Sequence, residues 1–98
     1  MRGAATTISV AGADPWVDLL ADFLRGRIAA AALLARAEAP GASPNHLPEA
    51  CYYIAQHARA AGDIATERSH LARCVATPLP TLAEYQLALQ RLKQLAPR

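Results

Sequence analysis

Residues 48–75 of this 98-residue chain read PEACYYIAQHARAAGDIATERSHLARCV, and this stretch decides the fold. Its apolar residues recur at helical spacing on both sides of the Gly62-Asp63 pair, which predicts one helix over 48–61 and a second that ends near Val75. Glycine is the preferred left-handed residue after a helix, and aspartate is a good N-cap for the next helix. The stretch therefore predicts an antiparallel helical hairpin.

Two further helices are predicted before the hairpin. Asp14 suits an N-cap and Pro15 suits a first helical position, so one helix is predicted over 15–25. The second, over 27–37, consists mostly of alanine with a few larger apolar residues. Because it has so few polar residues, we expect other parts of the protein to cover it on both sides. Residues 39–47 contain two prolines and a glycine, which predict a loop.

A fifth helix is predicted after the hairpin. Pro78 and Pro80 end the preceding helix, and the sequence TLAE at 81–84 has the spacing of a capping box, in which two side chains bond free backbone N–H groups. The apolar residues that follow predict a helix over 82–95. Five helices and no strand predict an all-α fold of antiparallel helical hairpins, with two stacked hairpins and a closing helix.

The length allows one domain, which we place at residues 14–98. Hydrophobic residues make up 53% of the chain, but many of them are alanines, and each alanine buries little area. A core of this kind is thin, so we expect the protein to form a homo-oligomer or to act inside a larger complex. Residues 1–13 have no continuous hydrophobic centre and predict a flexible tail rather than a signal peptide. The sequence does not decide between a cytoplasmic and a periplasmic location.

The charge pattern narrows the classes of partner. Ten basic and eight acidic residues are interspersed, giving a formal net charge of +2, and no basic run is interleaved with aromatic residues. This pattern is unlike that of a nucleic-acid-binding surface. No apolar run reaches the roughly 20 residues that a membrane-spanning helix needs. We therefore expect no nucleic-acid partner and no direct membrane insertion.

The predicted helices follow a regular spacing. Asp14, Pro48 and Leu82, where they begin, are 34 residues apart each time, and this is the length of a tetratricopeptide repeat. The Gly62-Asp63 turn resembles the turn between the two helices of such a repeat. The chain is therefore identified as similar to a short tetratricopeptide-like array.

Further positions of that repeat are matched in the hairpin. Ile54 and Ala55 occupy the large-then-small pair of the first helix, and the segment LARCV at 71–75 supplies the bulky and small positions of the second. Together with Tyr85, this segment is similar to bacterial repeat proteins of the outer-membrane lipoprotein group. The resemblance covers residues 14–95 and implies an array of hairpins stacked side by side.

Glu67 departs from the repeat pattern, which has a small residue at this position. A carboxylate there would be buried, so we expect either a local shift of register or an ion-pair partner such as Arg59 or His70. The first hairpin also departs, because it is shorter around Gly26 than the repeat requires.

The resemblance also implies a binding surface. In tetratricopeptide repeats the first helix of each hairpin lines a concave face that binds a peptide, a helix or another subunit. The residues of this chain that would lie on that face are Glu49, Tyr52, Gln56, Arg59 and Gln86. Tyrosine offers rigid contact area, glutamine both a donor and an acceptor, and arginine a fork for a carboxylate. An ordinary solvated helix face would show the same residue types, and this alternative stays open.

Reactive chemistry is not indicated by the sequence. The histidines and cysteines match no zinc-binding spacing, and there is no phosphate-binding loop or catalytic cluster, so we expect no enzyme activity, cofactor or metal. Cys51 and Cys74 lie at adjacent ends of the hairpin and either form a disulfide or pack as buried thiols. The sequence favours a protein-interaction module, and the alternative is a structural or assembly subunit that forms an obligate oligomer.

Overall fold

The protein is described by a computed structural model over residues 14–96, in which five α-helices follow one another without a strand. The helices are α1 (Pro15–Leu24), α2 (Ala30–Ala37), α3 (His46–Ala60), α4 (Ile64–Val75) and α5 (Ala83–Leu95). The all-α prediction is confirmed for this part of the chain. The predicted tail at residues 1–13 lies outside the described residues.

Two of the predicted caps are present. The carboxylate of Asp14 accepts a hydrogen bond from the backbone N–H of Trp16 at 2.9 Å, and that of Asp63 accepts one from the backbone N–H of Thr66 at 3.1 Å. Gly62 has a φ of 77°, the left-handed conformation that ends α3 and that a residue with a side chain adopts only with strain. These local signals fix the sharp turn between α3 and α4.

The predicted capping box at 81–84 is wrong. The N-cap of α5 is Leu82, whose side chain caps nothing, and the Glu84 carboxylate accepts instead from the hydroxyl of Tyr53 at 3.0 Å. A partner from α3 has replaced the local backbone N–H as the donor to this carboxylate. The start of α5 is therefore held by a contact between helices.

The even spacing of the helix starts is also not observed. α1, α3 and α5 begin at Pro15, His46 and Ala83, which are unevenly spaced along the chain. α3 begins at His46, before the predicted start at Pro48. A proline is tolerated anywhere in the first turn of a helix, where its missing N–H is not needed, so it does not mark the first residue. Pro48 is buried within that first turn of α3.

The expectation that α2 is covered on both sides is wrong for the described residues. Leu33 and Ala37 are buried, but Ala31, Ala32 and Ala35 are exposed. The helix packs on α1 and α3 with one face only. Alanine suits any exposed helix position because its propensity for helix is high, so an alanine-rich pattern does not by itself report cover.

The core has two parts that meet across α3. The first cluster consists of Trp16, Phe23, Leu33, Ala37, Ala50 and Ile54. The second cluster consists of Cys51, Ala55, Leu71, Cys74 and Ala88. Leu34 and Leu47 pack against both clusters and join them. α3 supplies residues to each cluster, so it is the central helix of the domain.

The helices pack as a linear array. α1 contacts α2 and α3, and α3 contacts α2, α4 and α5, with the most extensive contact between α3 and α4. α4 also contacts α5, whereas among residues 14–96 neither α1 nor α2 contacts α5. Contacts confined to neighbouring elements are typical of helical-repeat arrays, in which each unit covers only the next one.

Candidate functional site

A groove between α3 and α5 brings together three of the predicted binding residues. Its cavity is about 160 Å³. The side chains that line it are Tyr52, Gln56, Arg59, Leu87, Gln90, Arg91 and Gln94. The α3 residues are one and two helical turns apart, so they form one stripe, and the α5 residues form a second stripe that faces it. We call this cavity the α3–α5 groove.

The α3 wall of the groove is held in place by its own hydrogen bonds. Gln56 Nε2 donates to the Tyr52 hydroxyl at 2.6 Å. The Tyr52 ring also meets the Tyr53 ring edge to face, with centroids 5.3 Å apart. These contacts order an aromatic ring and an amide at the groove surface before any ligand arrives, which lowers the entropic cost of binding.

An ion pair fixes the α5 wall. Arg91 donates from Nε to Glu67 Oε2 at 2.6 Å and from a terminal nitrogen to Glu67 Oε1 at 3.3 Å. Glu67 is only 1% exposed, so this bidentate bond neutralises a buried carboxylate of α4. The partner is thus Arg91, and neither Arg59 nor His70 as expected. His70 instead places its Nδ1 3.0 Å from the carbonyl oxygen of Thr66.

The groove surface is cationic. Arg59 is exposed and makes no ion pair with any other residue in the range 14–96. Arg91 lines the opposite wall of the groove. No acidic side chain lines the groove, since Glu67 lies beneath Arg91. Arg59 is therefore free to bind an external carboxylate, while Arg91 is already used in part to neutralise Glu67.

Glu49 lies apart from the α3–α5 groove, in a second cavity of about 390 Å³ at the N-terminal end of α1 and α3. Its Oε1 accepts from Trp16 Nε1 at 2.8 Å, and the Trp16 ring stacks on His46 with centroids 4.2 Å apart. Glu84 and Tyr53, already bonded to each other, line the same cavity. We call it the Trp16 pocket.

The Glu49 carboxyl and the Tyr53 phenol of the Trp16 pocket both have raised pKa values. Burial raises the pKa of Glu49, Glu84 adds to the rise by like-charge repulsion, and the bond from Trp16 opposes it. Burial, together with the bond to Glu84, raises the pKa of Tyr53 to about 12. The polar groups of this pocket mostly bond one another. The Trp16–Glu49 bond joins α1 to α3, and the Tyr53–Glu84 bond joins α3 to α5.

Gln86 also lies outside the α3–α5 groove. Its side chain is exposed and its Nε2 donates to the carbonyl oxygen of Pro80 at 2.8 Å, just before α5. The fifth helix presents the residues at 87, 90, 91 and 94 to the groove in its place. Their helical spacing is visible in the sequence, but the side of the fifth helix that faces α3 depends on packing between helices.

Both cysteines are free and buried in the structure, which is the packing alternative rather than the disulfide. Cys74 donates from Sγ to the carbonyl oxygen of Glu84 at 3.8 Å. Burial raises the pKa of Cys74 to about 12 and also raises the pKa of Cys51. Thiols with such pKa values stay protonated at neutral pH, and it is the thiolate that reacts as a nucleophile.

The described residues offer neither a metal site nor a membrane-spanning helix. Between residues 14 and 96, no three side chains of histidine, cysteine, aspartate or glutamate are grouped so that they could hold a metal ion. None of the helices in that range is both long enough and apolar enough to cross a membrane. The α3–α5 groove is the candidate functional site because it brings together Tyr52, Gln56 and Arg59.

Comparison with known proteins gives no match: no protein-family model, no curated protein and no solved structure is similar to the chain at a significant level. The tetratricopeptide resemblance accordingly rests on the residues that carry it. We therefore infer the function from the contacts and charges of the described residues.

Proposed function

We propose that this domain is a protein-interaction module of tetratricopeptide-like type, in which the α3–α5 groove binds a peptide, a helix or another subunit. The observation that carries the proposal is the free Arg59 beside an ordered Tyr52 on one wall and an exposed Leu87 on the other. An aromatic ring, an exposed aliphatic side chain and an unpaired cation offer the three kinds of contact that dominate protein interfaces. Binding acts by shape and charge, without a chemical step.

The lining of the groove favours an acidic segment as its ligand. Arg59 offers a bidentate site for one carboxylate, and no side chain of the lining would repel that charge. Three glutamines, at positions 56, 90 and 94, can bond the backbone N–H and C=O groups of an extended or helical ligand. The apolar surface of Leu87 would contact an aliphatic or aromatic side chain of the same segment.

Two structural features support the tetratricopeptide-like part of the proposal. The Gly62-Asp63 turn joins two closely packed helices, and the first helix of this hairpin, α3, contacts the helix that precedes the hairpin as well as the one that follows it. In such an array the first helices of successive hairpins share one face. The α3–α5 groove lies between α3 and the helix that would begin the next hairpin of such an array.

The test is selection of peptides from a random display library on the immobilised domain, followed by affinity measurement on synthetic peptides. We expect enrichment of acidic sequences with one large apolar residue. Arg59→Glu should weaken binding of these peptides by at least tenfold, since a charge-assisted hydrogen bond contributes about 1.5–3 kcal/mol. Arg36→Glu makes the same charge change on the exposed side of α2 and is the matched control.

Retained affinity in Arg59→Glu, with a circular dichroism spectrum like that of the wild type, would contradict the proposed groove. Equal loss in Arg59→Glu and Arg36→Glu would show attraction by overall charge rather than a site. Failure of the library to yield any acidic binder would remove the proposed ligand class.

The alternative function, a structural or assembly subunit that forms an obligate oligomer, is favoured by a different observation. Val17 and Leu24 are 55% and 51% exposed on α1, on a chain whose core contains many alanines. Light scattering on a sizing column separates the two functions. A binding module stays folded as the protein is diluted, whereas an obligate oligomer loses its helical signal together with its assembly.

A further inference from the structure

An apolar stripe runs along α1 beside the face that α1 packs into the core. Val17, Leu20, Ala21 and Leu24 are spaced three and four residues apart and so share one side of the helix. Val17 and Leu24 are exposed, while Leu20 and Ala21 are half-buried. Trp16 and Phe23 supply the buried side of α1, and Leu20 packs partly against the same core cluster. Val17, Ala21 and Leu24 extend the stripe beyond that core contact. Contiguous exposed apolar side chains on one helix are typical of a docking surface.

Charges of opposite sign flank the stripe at its two ends. Asp18 and Arg25 are both exposed and lie seven residues apart, which places them on the same side of α1, next to the stripe. Asp14 lies before the helix and Arg27 after it, so the N-terminal end is acidic and the C-terminal end basic. Arg27 is held near α1 by an ion pair with Asp22 at 3.8 Å.

This polarity fits the same helix in the opposite direction. When two identical helices pair antiparallel through one stripe, the same flank of each helix faces the other, and the N-terminal end of each meets the C-terminal end of its partner. Asp18 of one copy then faces Arg25 of the other, and the two-fold symmetry makes this contact twice. A parallel pair would bring the acidic ends together and the basic ends together, which is unfavourable.

We infer that the α1 stripe is a self-association surface, and that a second copy of this chain covers it through an antiparallel α1–α1 contact. The inference is independent of ligand binding in the α3–α5 groove, because that groove is formed by α3 and α5. A two-fold dimer of this kind leaves both grooves accessible and presents them as a pair. The contact would also close the end of the helical array, where exposed apolar surface limits solubility.

Sedimentation or light scattering over a range from micromolar to millimolar protein tests the surface. The wild type should show a dimer that dissociates on dilution. Leu24→Asp should stay monomeric over the same range, because it places a charge in the stripe. Ile64→Asp is the matched control, since Ile64 is 52% exposed on α4, away from the stripe, and its substitution should leave the dimer unchanged.

Charge reversal tests the antiparallel direction. Asp18→Arg should weaken dimerisation about tenfold, because two attractive contacts become repulsive. Combining it with Arg25→Asp exchanges the charges and should restore the affinity of the wild type.

Four outcomes would overturn the inference. A wild type that stays monomeric at every concentration removes the contact with a second copy. Equal dimerisation by Leu24→Asp and the wild type places the contact elsewhere. A double charge exchange that fails to restore dimerisation rules out the antiparallel pairing. Dimerisation gained on removal of residues 1–13 would assign the stripe to that segment instead.

Discussion

The α1 end and the middle of the α-helical array differ in how they bury apolar side chains that lie 34 residues apart in the sequence. Cys51, Ile54 and Ala58 of α3 are buried, whereas Val17 and Leu24 of α1, 34 residues before the first and last of these, are exposed. Both helices have apolar side chains at this spacing. α3 has neighbours on both sides, α2 with α1 before it and α4 with α5 after it, while α1 contacts only α2 and α3 among the described residues.

An apolar stripe on a helix of this array indicates a surface that needs a neighbour, and not that a neighbour is present. In the middle of the array the neighbouring hairpin covers the stripe. At the α1 end the cover must come from another source, which we infer to be a second copy. The same sequence pattern therefore gives core in one region and a contact surface in the other.

The largest effect should come from shortening a leucine in the second hairpin. Leu71 is fully buried in the second cluster, so Leu71→Ala should lower the free energy of unfolding by about 2–5 kcal/mol. Leu24→Ala makes the same change on the exposed stripe of α1 and should alter the stability of the monomer by no more than about 0.5 kcal/mol. Urea denaturation at low protein concentration measures both. Equal losses of unfolding free energy in the two variants would show that Leu24 is buried to the same degree as Leu71.

The ion pair behind the α3–α5 groove should give the next largest effect. Arg91→Met leaves the Glu67 carboxylate buried without its cation and should destabilise the fold more than Glu67→Met, which leaves a partly exposed arginine that water can reach. The double variant should recover most of the loss of Arg91→Met, because neither charge remains. A double variant whose loss equals the sum of the two single losses would mean that the two side chains do not interact.

The smallest effect concerns alkaline pH and the bond between Tyr53 and Glu84. Because the pKa of Tyr53 is raised from 10.0 to about 12 in the folded protein, its neutral form stabilises the fold below pH 10, and this contribution is lost as the pH rises towards 12. Tyr53→Phe should therefore lose less stability than the wild type between pH 10 and 12. Urea midpoints across that range measure the slope. An unchanged slope would contradict the buried, hydrogen-bonded phenol.

Part of that alkaline slope belongs to a thiol. The pKa of Cys74 is also raised to about 12, so the folded protein favours its protonated form and loses that contribution as the pH rises above the ordinary thiol value. Tyr53→Phe should flatten the slope without removing it. The remaining slope should decrease further in a Tyr53→Phe variant that also carries Cys74→Ala.

Local signals made the α3–α4 hairpin predictable. Gly62 and Asp63 act on backbone groups within a few residues of themselves, so their effect on the fold can be inferred from the sequence alone. The α3 half of the groove was also predictable, because the spacing of Tyr52, Gln56 and Arg59 on one helix face follows from helical geometry. These residues do lie together in the structure.

The misassigned residues are those whose partners are distant in the sequence. Glu84 has the spacing of a capping residue but accepts from Tyr53, 31 residues away, and Glu67 bonds Arg91, 24 residues away. A single sequence gives no distance between such pairs. Local rules therefore predicted that Glu84 caps its own helix and that Glu67 pairs with a residue nearby in the sequence. Gln86 was misassigned for a different reason, since the rotation of α5 about its axis is fixed by packing on α3 and α4.

The central claim is that the ligand-binding surface lies between α3 and α5. The most direct measurement is a titration of the isotope-labelled domain with an acidic peptide from the library selection. The shifts of the backbone amide NMR signals report which residues contact the peptide. We expect shifts concentrated at Gln56, Arg59, Leu87 and Gln90, with α1 and α2 little changed. Shifts concentrated on α1 and α2, with the α3–α5 groove unaffected, would contradict the claim.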